Sequence, residues 1–226
     1  MPNLRPSLTR KVRWHIAILA VVVALIVALV AELRDHSATT RTPSTDQATD
    51  QTMADREHRD ADTAAALAGP RQRAGLPPCP GAGSGPGPEA LRGVTAECAA
   101  DGSVVDVARA VAGRRVVLNL WAYWCAPCAA ELPAMAEYQR RVGSDVMVVT
   151  VHQDENETAA LLRLAELGVR LPTLQDGRRR VAAALRVVNV MPATVVLRPD
   201  GSVAQTLPRA FNTADEIAAA IGTDRG

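Results

Sequence analysis

Aromatic side chains are scarce in this chain. One Phe, two Tyr and three Trp make up 3% of 226 residues, so a core must come from Val, Leu, Ile and Ala. Charge of one sign is also missing. Lys and Arg number 25 against 24 Asp and Glu, for a net charge of +1. That balance excludes the basic footprint of a nucleic-acid binder. No segment repeats, which leaves one large or two small domains for this length. Cysteine is limited to four residues. A zinc site needs about four ligands, and Cys79 and Cys98 lack the paired spacing that would complete one. No metal and no cofactor are expected.

Charge disappears altogether between Trp14 and Ala31, a run of 18 residues. At about 1.5 Å per residue this is just long enough to span a bilayer as a helix. Residues 1–13 carry Arg5, Arg10, Lys11 and Arg13 and no acid. The basic flank assigns 1–13 to the cytoplasm and all that follows residue 31 to the outside. Trp14 suits an interfacial anchor. A cleaved signal peptide is the rival, but Ala28-Leu29-Val30-Ala31 is not an A-x-A site. A buried soluble helix is the remaining reading, disfavoured because the run is apolar on every face. The expectation is a single-pass, uncleaved signal anchor at 14–31 in contact with lipid.

Residues 32–78 hold few large apolar groups and read as a disordered linker, with 55–68 a transient helix at most. Gly81 to Pro88 reads as low-complexity loop. The folded domain is placed at 79–226. Strands are expected over 103–107, 115–122, 145–151, 193–198 and 202–207. Helices are expected over 125–141, 155–167, 178–185 and 213–221. Strands alternating with helices, then a hairpin across Pro199-Asp200-Gly201, predict an α/β fold with a sheet of mixed direction.

The chemistry concentrates at Trp124-Cys125-Ala126-Pro127-Cys128. Two cysteines two residues apart can close and reopen a disulfide. They follow a strand-like run, 116–122, and precede good helix formers. A thiolate at a helix start is stabilised by unpaired N–H groups and the helix dipole, and the thiolate is the nucleophile of disulfide exchange. Cys125 is the expected nucleophile and Cys128, one turn deeper, the resolving thiol. Pro127 is tolerated in the first turn, which lacks internal N–H bonds. Trp124 is expected to cover the pair and meet partners, and Trp121 to pack in the core.

This stretch, with Glu131-Leu132-Pro133 after it and Met191-Pro192-Ala193-Thr194 before the last hairpin, resembles the thioredoxin superfamily over residues 98–222. It is most similar to the membrane-anchored, extracytoplasmic TlpA/ResA-like branch. The resemblance implies a thioredoxin-like fold, a central mixed sheet flanked by helices. It also implies a cis-proline at Pro192 beside the cysteines, with Met191 as the pair's neighbour. Glu131 would be an acidic residue that relays protons to Cys128. Asn119 stands where thioredoxins proper carry a buried Asp.

The branch implies protein thiol or disulfide substrates, apocytochrome c among them, and a membrane electron donor or acceptor. A reductase linked to cytochrome c maturation is the leading reading. A disulfide oxidase or isomerase for secreted proteins is the second. A Cu(I) carrier using the two cysteines is of another class. A monomer is expected. In an oxidising compartment the even cysteine count favours a structural Cys79–Cys98 disulfide; an auxiliary pair that shuttles electrons to Cys125 is the alternative. His152 is expected to be a solvent-exposed loop residue, and Arg178-Arg179-Arg180 a solvated helix end.

Overall fold

The computed structural model describes residues 62–85 and 87–222, all within one compact unit of the chain. The expected cytoplasmic segment, the anchor at 14–31 and the linker up to residue 61 lie outside the described residues. Among the described residues no helix is long and apolar enough to cross a membrane.

Alternation of side chains builds the sheet. β1 (Thr95–Cys98), β2 (Val104–Asp106), β3 (Val116–Trp121), β4 (Met147–His152), β5 (Thr173–Gln175), β6 (Ala193–Leu197) and β7 (Val203–Leu207) lie in the order β2-β1-β5-β4-β3-β6-β7. β3 runs parallel to β4, and β4 to β5, while β6 returns antiparallel beside β3 and β7 antiparallel beside β6. The sheet is therefore mixed. β3, β4 and β6 are almost wholly buried, which explains their continuous apolar runs. On β3, Val116, Leu118 and Leu120 feed one apolar cluster, and Val117 and Trp121 feed another. With a period of two, these are the two faces of the sheet.

The helices that close the second face are α3 (Ala126–Val142) and α6 (Ala214–Ile221). α3 runs unbroken through Pro133. Thr213 caps α6 by accepting the Glu216 N–H, and the Glu216 carboxylate accepts the N–H of Asn212 just before the cap. α4 (Glu157–Leu167) starts at an Asn156 cap and stops at Gly168, which is left-handed. α2 (Val107–Ala110) and α5 (Arg180–Ala184) are short helices.

The linker boundary is corrected by α1 (Ala64–Ala74), an ordered helix inside the stretch read as a tether. Only Leu67 and Ala74 are buried on it, packed with Ala99 and Leu161. So small an apolar face would not hold a helix on its own, but polar contacts supplement it. Arg71 bonds Glu97 of β1 and Glu157 of α4 at 2.7 and 2.9 Å. The Asp62 carboxylate accepts the N–H groups of Glu157 and Thr158 at the start of α4. The folded unit thus begins well before Cys79.

The Gly/Pro-rich stretch is also more than filler. The Gly83 N–H bonds the Arg109 carbonyl at 2.7 Å. A Cβ at Gly83 or Gly87 would lie 2.0 Å from the carbonyl oxygen of Ala112 or Ala108. Glycine is needed there because backbone meets backbone. Next to this stretch, Cys79 and Cys98 are joined as a disulfide with Cα atoms 5.8 Å apart.

Candidate active site

β3 ends at Trp121, and the Cys125 N–H bonds back to the Ala122 carbonyl at 3.0 Å, closing a turn that leads into α3. Cys125 is the N-cap of that helix. Its Sγ accepts the Cys128 N–H at 3.3 Å, so an orphan donor of the first turn points at this sulfur. The two cysteines form a disulfide. Cys125 is 6% exposed and Cys128 0%, so the pair is open to solvent only on the Cys125 side. Pro127 occupies the first turn of α3.

Trp124 is 58% exposed, and its indole N–H donates to Asp154 at 2.9 Å. This fixes an aromatic surface next to Cys125. Trp121 is fully buried. The Met191–Pro192 bond is cis. Leu120 pairs with Ala193, so Met191 and Pro192 stand where β3 runs out into the cysteine loop. Met191 packs against the cluster that holds Cys125 and Cys128.

Glu131 lies one turn beyond Cys128 on α3 and is 0% exposed. The Asn119 amide donates to Oε2 at 2.7 Å, and the Phe211 N–H donates to Oε1 at 3.1 Å. Burial raises its pKa to about 7, against the opposing pull of those two donors and the Arg209 charge. A carboxyl group so placed exchanges its proton near neutrality. Asn119 faces Thr194 across β3 and β6, and Asn119 Oδ1 and Thr194 Oγ1 have no protein partner among the described residues.

A raised carboxyl pKa has a definite sign in stability. The folded state holds the proton between pH 4.5 and about 7, where the unfolded chain has lost it. The contribution is therefore fully present below pH 4.5 and is lost as pH rises through 7. Glu131→Gln keeps an acceptor for Phe211 and turns its amide toward Asn119, whose free Oδ1 can rotate to receive it. We expect wild type to lose roughly 3 kcal/mol more than Glu131→Gln between pH 4.5 and 8. Urea unfolding at both pH values measures this; identical losses in the two proteins would refute the burial account.

Two residues differ from expectation. His152 is a buried strand end, 0% exposed, rather than a loop residue in solvent. It closes β4, whose two faces are both buried from Val148 onward. Arg179 is not a freely solvated charge. It donates to Gln153 at 3.3 Å and to Asn189, tying the loop after β4 to the segment before Pro192. Asp176, buried beneath it, caps the start of α5 by accepting the N–H groups of Arg180 and Val181. Nothing in the spacing of these residues announces such contacts.

The Cys79–Cys98 disulfide is not part of this site. It packs with the cluster of Leu118 and Leu120, whereas Cys125 and Cys128 pack with that of Val117 and Trp121. The sheet separates the two pairs.

Known proteins match this arrangement. The thiol-disulfide oxidoreductase ResA of Bacillus subtilis is 33% identical over 96 residues, 42% of this chain and 53% of that protein. ResA of Oceanobacillus iheyensis is 31% identical over 103 residues, 44% and 52% of the two chains. The chain thus spans about half the length of the curated relatives it matches. A secreted Mycobacterium tuberculosis disulfide oxidoreductase homologous to Escherichia coli DsbE has a similar fold, with a TM-score of 0.51 at 23% identity, covering 59% of this chain and 96% of that one. A sequence model of the Redoxin family matches residues 85–221, which contain the whole cysteine site, and the chain belongs to that family.

Proposed function

We propose that this chain is a thiol–disulfide oxidoreductase acting on protein thiols outside the cytoplasm, held to the membrane by residues 14–31. The observation that carries the reading is the Cys125–Cys128 disulfide at the start of α3, with one sulfur reachable and the other sealed. The name of the ResA relatives, thiol-disulfide oxidoreductase, agrees with it. Trp124, Pro127, Met191 and Pro192 form the surface on which an extended partner segment lies.

In the reducing direction the Cys125 thiolate attacks one sulfur of a partner disulfide. A Cys125–partner disulfide forms, and the other partner sulfur leaves as thiolate and takes a proton. Cys128 then gives its proton to Glu131 and attacks Cys125 Sγ. The second partner thiol is released and the Cys125–Cys128 disulfide remains. Two electrons have passed to the partner. A membrane electron donor restores the dithiol, and apocytochrome c is the substrate favoured by the resemblance. The Cys79–Cys98 bridge is structural in this scheme, because the sheet stands between it and Cys125.

The test is the reduction potential of the full chain in detergent, by equilibration with dithiothreitol and Trp fluorescence. A value below about −250 mV is expected of a reductase fed by a membrane donor. A value above about −180 mV would overturn that direction and favour the oxidase or isomerase reading.

A further inference from the structure

His152 makes more contacts than a packing residue needs. Its Nδ1 lies 2.8 Å from Gln175 Oε1, and its Nε2 lies 3.3 Å from the backbone nitrogen of Tyr123. The ring stands beside Trp121, with centroids 4.8 Å apart, and near Tyr123 at 6.1 Å. Two independent constraints fix where its proton sits. The Gln175 Nε2 group donates to the Asp154 carbonyl at 2.6 Å, so Oε1 must face the ring as an acceptor. Nδ1 therefore carries the hydrogen. From the other side, the Tyr123 N–H can donate only to a bare Nε2. Both lead to the same neutral tautomer.

Tyr123 lies two residues before Cys125, in the turn between β3 and α3. Beyond Trp121 the ladder to β4 ends, and its last bond runs from the Gln153 N–H to the Trp121 carbonyl. The imidazole takes over from the ladder by holding the next outward-running segment. We propose that His152 is a positioning residue for the redox pair: a neutral imidazole, oriented by Gln175, that holds the Tyr123 N–H and so sets where Cys125 meets the start of α3. The reason this matters is geometric. The benefit of the helix start to a thiolate falls off within one turn. Burial supports the same state by pushing the His152 pKa below its ordinary value, despite the Gln175 bond and the charges of Asp154 and Asp62.

This inference rests on the thiol–disulfide reading for its kinetic readout, but its structural readout is independent. Nitrogen-15 correlation spectra of the full chain should place the His152 proton on Nδ1, and Gln175→Leu should weaken that preference, leaving the Tyr123 N–H alone to enforce it. The Cys125 thiol of the reduced protein should react with a small disulfide at pH 7 about tenfold more slowly in His152→Leu and in Gln175→Leu. The titration of Cys125 should move up in both. His152→Gln, which offers an amide oxygen to Tyr123, should restore reactivity to within about twofold. A His152 proton on Nε2 overturns the proposal. So does unchanged Cys125 reactivity and titration in Gln175→Leu, a variant that alters no buried ring. If wild type exchanges no disulfide at all, the functional reading falls, while the tautomer still decides the latch.

Discussion

Cys125→Ser is expected to lower disulfide exchange on the order of 10³-fold or more, whereas Cys128→Ser stops it half-way. The difference follows from access. Cys125 is the sulfur with exposed surface and the one that accepts the N–H of the first helical turn. Without it the remaining thiol is sealed at 0% exposure and cannot meet a protein disulfide. Without Cys128 the first attack still proceeds, because it needs only the Cys125 thiolate. The mixed disulfide then has no internal nucleophile to resolve it. Cys128→Ser should therefore accumulate a covalent adduct with a disulfide-bearing partner, visible as added mass that dithiothreitol removes. Cys125→Ser should show none. Equal adduct formation by the two variants would reverse the assignment of nucleophile and resolving thiol.

Much of this fold is visible in the pattern of residues, and the failures have physical causes. β3, β4, β6 and β7 lie within a residue or two of expectation because apolar runs and the turn at Gly201 mark them. β1 and β5 were not expected. Thr95–Cys98 and Thr173–Gln175 are short, carry polar residues, and exist because each is paired on both sides, β1 with β2 and β5, β5 with β1 and β4. Strand propensity in such segments is a matter of context. α1 is ordered and runs to Ala74, where only a transient helix over 55–68 is expected, for a related reason. Two buried residues and a Pro70 inside the helix argue against a stable element until Arg71 and Asp62 are seen to reach α4. At the site, the cysteine pair was legible because its spacing is local. His152, Gln175 and Arg179 were not, since their roles arise from register and loop closure across the sheet.

Arg71→Met should destabilise the fold by about 3 kcal/mol at pH 8 and clearly less at pH 6. The Arg71 side chain is 13% exposed and the Glu157 side chain 4%, so the pair is largely buried, whereas Glu97 at 44% contributes little. Burial raises the Glu157 pKa to about 7 even though the Arg71 bond and charge oppose it. At pH 6 this carboxyl is largely protonated and has little charge to lose. At pH 8 it is ionised, and without Arg71 it is an uncompensated buried anion that must take up a proton or leave the interior. The cost therefore grows as pH rises through 7. Arg71→Met combined with Glu157→Met removes the stranded charge and should recover most of the loss at pH 8. Urea unfolding at both pH values decides this, and hydrogen exchange over residues 62–75 locates it. An equal loss at both pH values, or a double variant no better than the single one, would show that pairing with the Glu157 charge is not what Arg71 contributes. Because Asp62 caps the start of α4 directly after the loop of His152 and Asp154, release of α1 would also loosen the base on which the cysteine loop rests.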